Sequence, residues 1–106
     1  MPAILKGYID RVFLPGVAFK LPEGGGALIP LLTNINKVGV VTTYGATQPV
    51  VIYAGDNSRN LISRGLRPLF NSNCPLLWMG LYNLDSTTLE NRVSFLKKVE
   101  NSFSEF

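Results

Sequence analysis

Ile4, Leu5, Tyr8, Ile9, Val12 and Phe13 fall at i, i+1, i+4, i+5, i+8 and i+9, with Lys6, Asp10 and Arg11 between them. That spacing is the apolar stripe of an amphipathic helix. Pro2 suits a first helical turn, where a missing N–H costs nothing, and Leu14-Pro15-Gly16 ends the run. From Leu14 to Asn36 no period holds. Pro15, Gly16, Pro22, Gly24-Gly25-Gly26 and Pro30 punctuate a loop that is long for a compact domain. Such loops are expected to be functional or mobile, and Val17-Ala18-Phe19 is an apolar group inside this one. Two continuous apolar runs follow, KVGVVTT at Lys37–Thr43 and CPLLWMGLY at Cys74–Tyr82. Runs without alternation predict strands buried on both faces, as in a parallel sheet. Between them, Asp56 or Asn57 is placed to cap a helix reaching about Phe70. Leu61, Ile62, Leu66 and Leu69 form its inner face, and Pro68 ends it or bends its last turn. Thr87 and Glu90 match a capping box. They open a last helix whose Leu89, Val93, Leu96, Val99 and Phe103 are expected to form a buried stripe.

The order helix, strand, helix, strand, helix predicts a parallel α/β sheet. Two strands are too few for it, because both edges stay unpaired and helices on both faces need a wider sheet. The pattern therefore predicts that strands are missing. At 106 residues the chain holds one domain at most. Its 46% hydrophobic and 16% charged content argues against disorder and for a large packed face.

The net charge of +3 is scattered, and only Arg59, Arg64 and Arg67 gather, within one expected helix. A solvated helix face explains them; no dense basic patch with interleaved aromatics points to nucleic acid. The single cysteine, Cys74, excludes an internal disulfide and reads as a small core residue. Trp78 likewise reads as core packing. The chain has no histidine, which removes the usual general base and zinc ligand, so no metal site is expected. No signal-peptide pattern and no apolar run near 18 residues is seen, so the expected compartment is the cytosol, without membrane insertion.

MPAILKGYIDRVF resembles the segment after the third strand in the NAD(P)H:quinone oxidoreductase family of flavodoxin-like proteins. There the segment reads approximately Pro-Ala-hydrophobic-Leu-Lys-Gly-aromatic-x-x-Arg-Val-Phe, and Pro2, Ala3, Leu5, Lys6, Gly7, Tyr8, Arg11, Val12 and Phe13 fit it. KVGVVTTYGA resembles the fourth strand and its flavin loop, GDNSRNLISRGLRPLF the fourth helix of bacterial members, and WMGLYNLDSTTLENRVSFLKKVE the fifth strand and closing helix. The resemblance implies the C-terminal half of a doubly wound parallel sheet of order 2-1-3-4-5, with about two strands and three helices present. Residues 1–106 would then be the C-terminal part of such a domain, its N-terminal strands lost by truncation, a split gene or a misplaced start codon.

The resemblance further implies a flavoprotein enzyme. Its members bind FAD, or FMN in some cases, accept a hydride from NAD(P)H as co-substrate, and reduce a quinone or similar small acceptor by two electrons, usually as homodimers. Backbone N–H groups of Thr42, Thr43, Tyr44 and Gly45 would meet the edge of the flavin ring that gains negative charge on reduction. Many relatives carry glycine at the position of Tyr44; the bacterial branch tolerates tyrosine. The tyrosine and histidine that animal relatives use further along this loop do not carry over: Val50 lies near the first position, and Tyr53 is the available substitute. Phe19 lies near an aromatic inserted into the acceptor pocket, and reads equally as a core or dimer anchor. The family's phosphate-binding turn after the first strand has no counterpart here. Gly24-Gly25-Gly26 neither follows a strand nor opens a helix, and reads as a flexible surface loop. The alternative to a reductase is therefore a non-catalytic fragment or interaction module that no longer binds flavin. The isolated chain is expected to bind flavin weakly or not at all.

Overall fold

A computed structural model describes residues 1–106. The chain divides into two compact units, each built from two stretches of sequence: Met1–Lys37 with Ser58–Pro75, and Val38–Asn57 with Leu76–Phe106.

In the first unit, α1 runs from Ala3 to Val12, with Pro2 one step earlier than expected, as an extended N-cap. Leu14 and Phe13 amides fold back onto Val12 and Ile9 carbonyls and end the helix. The long segment after it is not patternless. β1 (Phe19–Lys20) pairs antiparallel with β2 (Ile29–Pro30), Phe19 opposite Pro30. The two-residue strands are too short to show a period, which is why no alternation announced them. Gly24, Gly25 and Gly26 turn the chain between them, all at positive φ. Leu32 bridges to Phe70, and Asn71 binds the carbonyls of Thr33 and Ile35, so the end of this segment is tied to the far end of the unit.

The helix expected to reach Phe70 exists in pieces. An α-helical turn at α3 (Asn57–Asn60) widens to a π-helical turn over Leu61–Leu66, then tightens to a 3-10 turn over Arg67–Leu69. Pro68 is the physical cause: it has no N–H to donate, and its ring crowds the carbonyl four residues back. The Arg67 amide bonds to the carbonyl of Ile62 instead, the five-residue step of a π turn. Leu69 is buried as expected, together with Phe70, Ile9, Ala18 and Cys74, while Leu61, Ile62 and Leu66 are half-buried. Arg67 Nε donates to the Cys74 carbonyl at 2.9 Å, so this arginine does more than face water.

In the second unit, β3 (Val38–Thr43) and β4 (Leu76–Leu81) pair in parallel, from Val38 opposite Leu76 to Thr43 opposite Leu81. Parallel pairing was the expectation; burial on both faces was not met. Along β3 half-buried and exposed residues alternate, and only Met79 of β4 is fully buried. The reason is the sheet's width: with two strands, the outer edge of β3 has no neighbour and one face stays open. α2 (Gln48–Tyr53), which no pattern announced, follows β3, started by Pro49 near its N-terminus and buried at Val51.

α4 (Leu89–Glu105) is capped by Thr88, whose hydroxyl accepts from the Asn91 amide, and not by Thr87. Thr87 instead donates to the Leu84 carbonyl at 2.6 Å and accepts from Arg92 Nε. The expected buried stripe is also corrected. Leu89 is 77% and Leu96 67% exposed, Val93 and Phe103 are exposed, and the half-buried side is Phe95, Val99, Ser102 and Phe106. α1 shows the same: of its stripe only Ile9 is fully buried, while Ile4, Leu5, Tyr8 and Val12 are exposed. The sequence pattern specifies apolar faces wider than the elements present can cover. No helix is long and apolar enough to cross a membrane.

Candidate functional site

In open α/β sheets, ligands bind beyond the carboxyl ends of the strands. Here the carboxyl end of β3 leads into Tyr44-Gly45-Ala46-Thr47 and α2, while that of β4 leads into Tyr82-Asn83-Leu84. The two exits are laced together. The Tyr44 amide donates to the Leu81 carbonyl at 2.8 Å, the Leu84 amide to the Tyr44 carbonyl at 3.0 Å, and the Asn83 amide to the Ala46 carbonyl at 2.8 Å. Asn83 takes a left-handed φ of 53° to do this, a conformation that asparagine tolerates. A 3-10 turn over Leu84–Ser86 follows, and Arg92 of α4 reaches back to the Leu84 carbonyl.

Side chains add a second layer. The Tyr44 and Tyr82 rings stack with centroids 4.6 Å apart and planes within 1°. Gly80 makes room for them. A Cβ there would lie 2.8 Å from Tyr44 Cε2 and 3.3 Å from Tyr82 Cε2. The Tyr44 hydroxyl donates to Asp56 Oδ1 at 3.0 Å. Burial first, then the Asp56 carboxylate, push the phenol up to about 12 from its ordinary value of 10.0, while hydrogen bonding with Trp78 acts the other way. Tyr44 therefore stays a neutral donor throughout the physiological range. Asp56 holds φ at 41°, next to Gly55 at 96°, and its amide bonds to the Val51 carbonyl, closing α2. Asp56 thus receives a phenol from the position directly before α3.

The four residues singled out in the sequence divide by role. Thr42 and Thr43 end β3, Tyr44 continues its ladder, and Gly45 begins the loop. Backbone groups alternate sides along a strand. Since the Tyr44 amide points to β4, the Thr42 amide does too, and that of Thr43 faces the open edge. The amides of Gly45, Ala46, Thr47, Gln48 and Val50 have no protein partner. A Cβ on Gly45 would meet nothing within 4 Å, so the approach to this stretch is open. The result is a short run of free backbone donors with no acidic side chain among them, suited to a carbonyl-rich or anionic edge. Tyr53, the expected substitute for the relatives' loop tyrosine, is 94% exposed at the end of α2, and Val50 is exposed as well.

Phe19 belongs to the first unit. With Ile9, Phe13, Leu28, Leu66 and Leu69 it lines a cavity of about 320 Å³, into which Asp10 also opens. Asp10 is held by Lys6 at 2.6 Å. Tyr82, Gly80, Asn83, Leu84 and Asp56 escaped the sequence reading. Gly80 carried a signal, since a glycine inside an apolar strand marks a close approach. The others carry none without the register.

Comparison with known proteins gives two findings. A family model described as flavodoxin-like fold matches residues 1–91. The crystal structure of Smu.1420 from Streptococcus mutans UA159 is similar to this chain, with a TM-score of 0.84 at 26% identity, covering 100% of this chain and 54% of that one. This chain thus spans about half the length of that solved structure. No curated protein sequence matches significantly.

Proposed function

The chain belongs to the flavodoxin-like fold family, and from that premise we propose that it carries the ring-facing loop of a flavin-dependent NAD(P)H:quinone oxidoreductase, as the C-terminal part of that domain. The observation that supports this reading is the run of unpartnered amides at Gly45–Gln48, with Thr43 beside it, at the carboxyl end of a parallel strand. These donors fit the carbonyl and nitrogen edge of an isoalloxazine ring, of FAD in the first place and FMN in the second. Bound flavin would supply two-electron hydride relay from a nicotinamide to a quinone. The chain's own part is to orient the ring and to place N–H dipoles where negative charge grows. Tyr44, neutral and committed to Asp56, adds support and no charge. In this reading Phe19 contributes to the pocket for the quinone or a similar flat acceptor, and the full domain acts as a homodimer in the cytosol.

Affinity of this chain alone for flavin is expected to be weak. Gly24, Gly25 and Gly26 open no helix, and α2 is too short to carry a useful dipole. Charge-assisted hydrogen bonds to a phosphate contribute roughly 1.5–3 kcal/mol each, and in this reading the free amides at Gly45–Gln48 are taken up by the ring edge. Titrating ¹⁵N-labelled chain with FMN, FAD and riboflavin tests the proposal. Joint movement of the Gly45, Ala46 and Gln48 amide resonances, saturating in the millimolar range for all three, is the expected result. Unchanged resonances there would overturn it.

A second reading, an interaction module without flavin, is favoured by one observation: β3 offers an unpaired edge with no proline or charge to protect it. Concentration-dependent association that is abolished by Val41→Lys, in a chain whose loop amides ignore flavin, would select it.

A further inference from the structure

Asp56 is the least expected participant in the second unit. Its carboxylate accepts a hydrogen bond from the Tyr44 phenol, and its backbone sits at a φ of 41°. Glycine adopts that conformation more readily than a residue with a Cβ, and the adjoining Gly55 shows that glycine is used in this turn. A carboxylate kept where glycine would be easier needs a return. The return is visible in what the bond spans. Tyr44 opens the loop and Asp56 closes α2, so the contact ties the two ends of the segment that holds the unpartnered amides of Gly45–Gln48 and Val50. Tyr44 is fixed in three further ways, through its amide, its carbonyl and its ring on Tyr82 over Gly80. One end of the segment is therefore anchored to the sheet, and Asp56 anchors the other end to that anchor.

We propose that Asp56, acting through the Tyr44 phenol, is a positioning residue that holds the Gly45–Gln48 amides in register for the edge of a bound flavin. The inference rests on the flavin reading for its ligand, and on the geometry above for the clamp.

Three variants separate the side-chain bond from the backbone turn. Asp56→Asn keeps an acceptor and tolerates positive φ. Asp56→Gly keeps the turn and removes the acceptor. Tyr44→Phe keeps the stacked ring and removes the donor. Two quantities are read by NMR on the full-length chain: amide order parameters at residues 45–48, and the FMN dissociation constant from their shifts. Expected is wild-type order and affinity in Asp56→Asn. In both Asp56→Gly and Tyr44→Phe, order is lost and the dissociation constant rises about tenfold, the equivalent of one hydrogen bond to a charged group. Unfolding by urea should leave Asp56→Gly close to wild type, since relief of the strained φ offsets the lost bond; a general loss of fold would lower it. If Asp56→Gly keeps an ordered loop and wild-type affinity, the proposal is wrong. If wild type shows no flavin shift, the flavin reading fails, and the order parameters still decide whether the clamp exists.

Discussion

Gly80→Ala asks whether the tyrosine stack is a real constraint on the sheet. In an ordinary strand the change would help, because glycine costs roughly 0.5–1 kcal/mol relative to alanine. Here the new methyl would stand 2.8 Å from Tyr44 Cε2, with Tyr44 Cδ2 and Tyr82 Cε2 each at 3.3 Å. Neither ring can retreat cheaply. Tyr44 is held at its backbone by two hydrogen bonds to the exit of β4, and its hydroxyl is held by Asp56. Overpacking of this kind costs about 1–3 kcal/mol, so the clash outweighs the gain and a net loss of about 1–2 kcal/mol is expected. With a urea slope near 1 kcal/mol per molar for a small domain, the midpoint should fall by about 1–2 M. The tyrosine signal in near-ultraviolet circular dichroism should weaken with it. The same change in a Tyr44→Ala background removes the obstacle, and there Gly80→Ala should be neutral or stabilising. An equal cost in both backgrounds, or a stabilised single variant, would refute the reasoning.

The Tyr44 phenol, with its pKa raised to about 12, implies a stability contribution that is complete below pH 10 and lost as pH rises from 10 towards 12; absorbance titration near 295 nm should show a late step that is lost in Tyr44→Phe and moved towards 10 in Asp56→Gly. Replacing the exposed Leu89, Val93 and Leu96 of α4 with glutamine should change stability by less than about 0.5 kcal/mol each while reducing binding of a hydrophobic dye, and a loss of several kcal/mol would show that this strip is covered within the chain itself.

Long, strongly periodic stretches were legible from sequence. The α1 and α4 stripes and the β3 and β4 runs all became elements of the expected kind, and the parallel pairing followed from the helical crossover. Burial was less legible, for a physical reason: residue pattern reports how apolar a face is, not what covers it, and the apolar positions of β3 and α4 are in large part exposed. The break of the middle helix at Pro68 was visible, but not that the relief would come as a π turn. At the site, TTYG could be read locally. The clamp could not: Tyr44 and Asp56 are 12 residues apart and meet only once α2 has folded back on the end of β3, and Gly80 and Tyr82 join them only when β3 and β4 lie in register.

The parallel pairing of Val38 with Leu76 also fixes an order of events in folding. A hairpin can form as soon as its turn has left the ribosome; these strands cannot, because about 38 residues separate them. Closing a loop of that length costs about 3 kcal/mol of chain entropy by the logarithmic rule, and no contact repays it until β4 has been synthesised. Until then Val38–Thr43 is a bare, β-branched, uncharged segment with both edges open. In that interval nascent chains side by side on one message could pair with each other instead of with themselves. Slower translation in the interval when β3 has left the ribosome and β4 has not should therefore lower the soluble yield, whereas a pause after β4 has emerged should not.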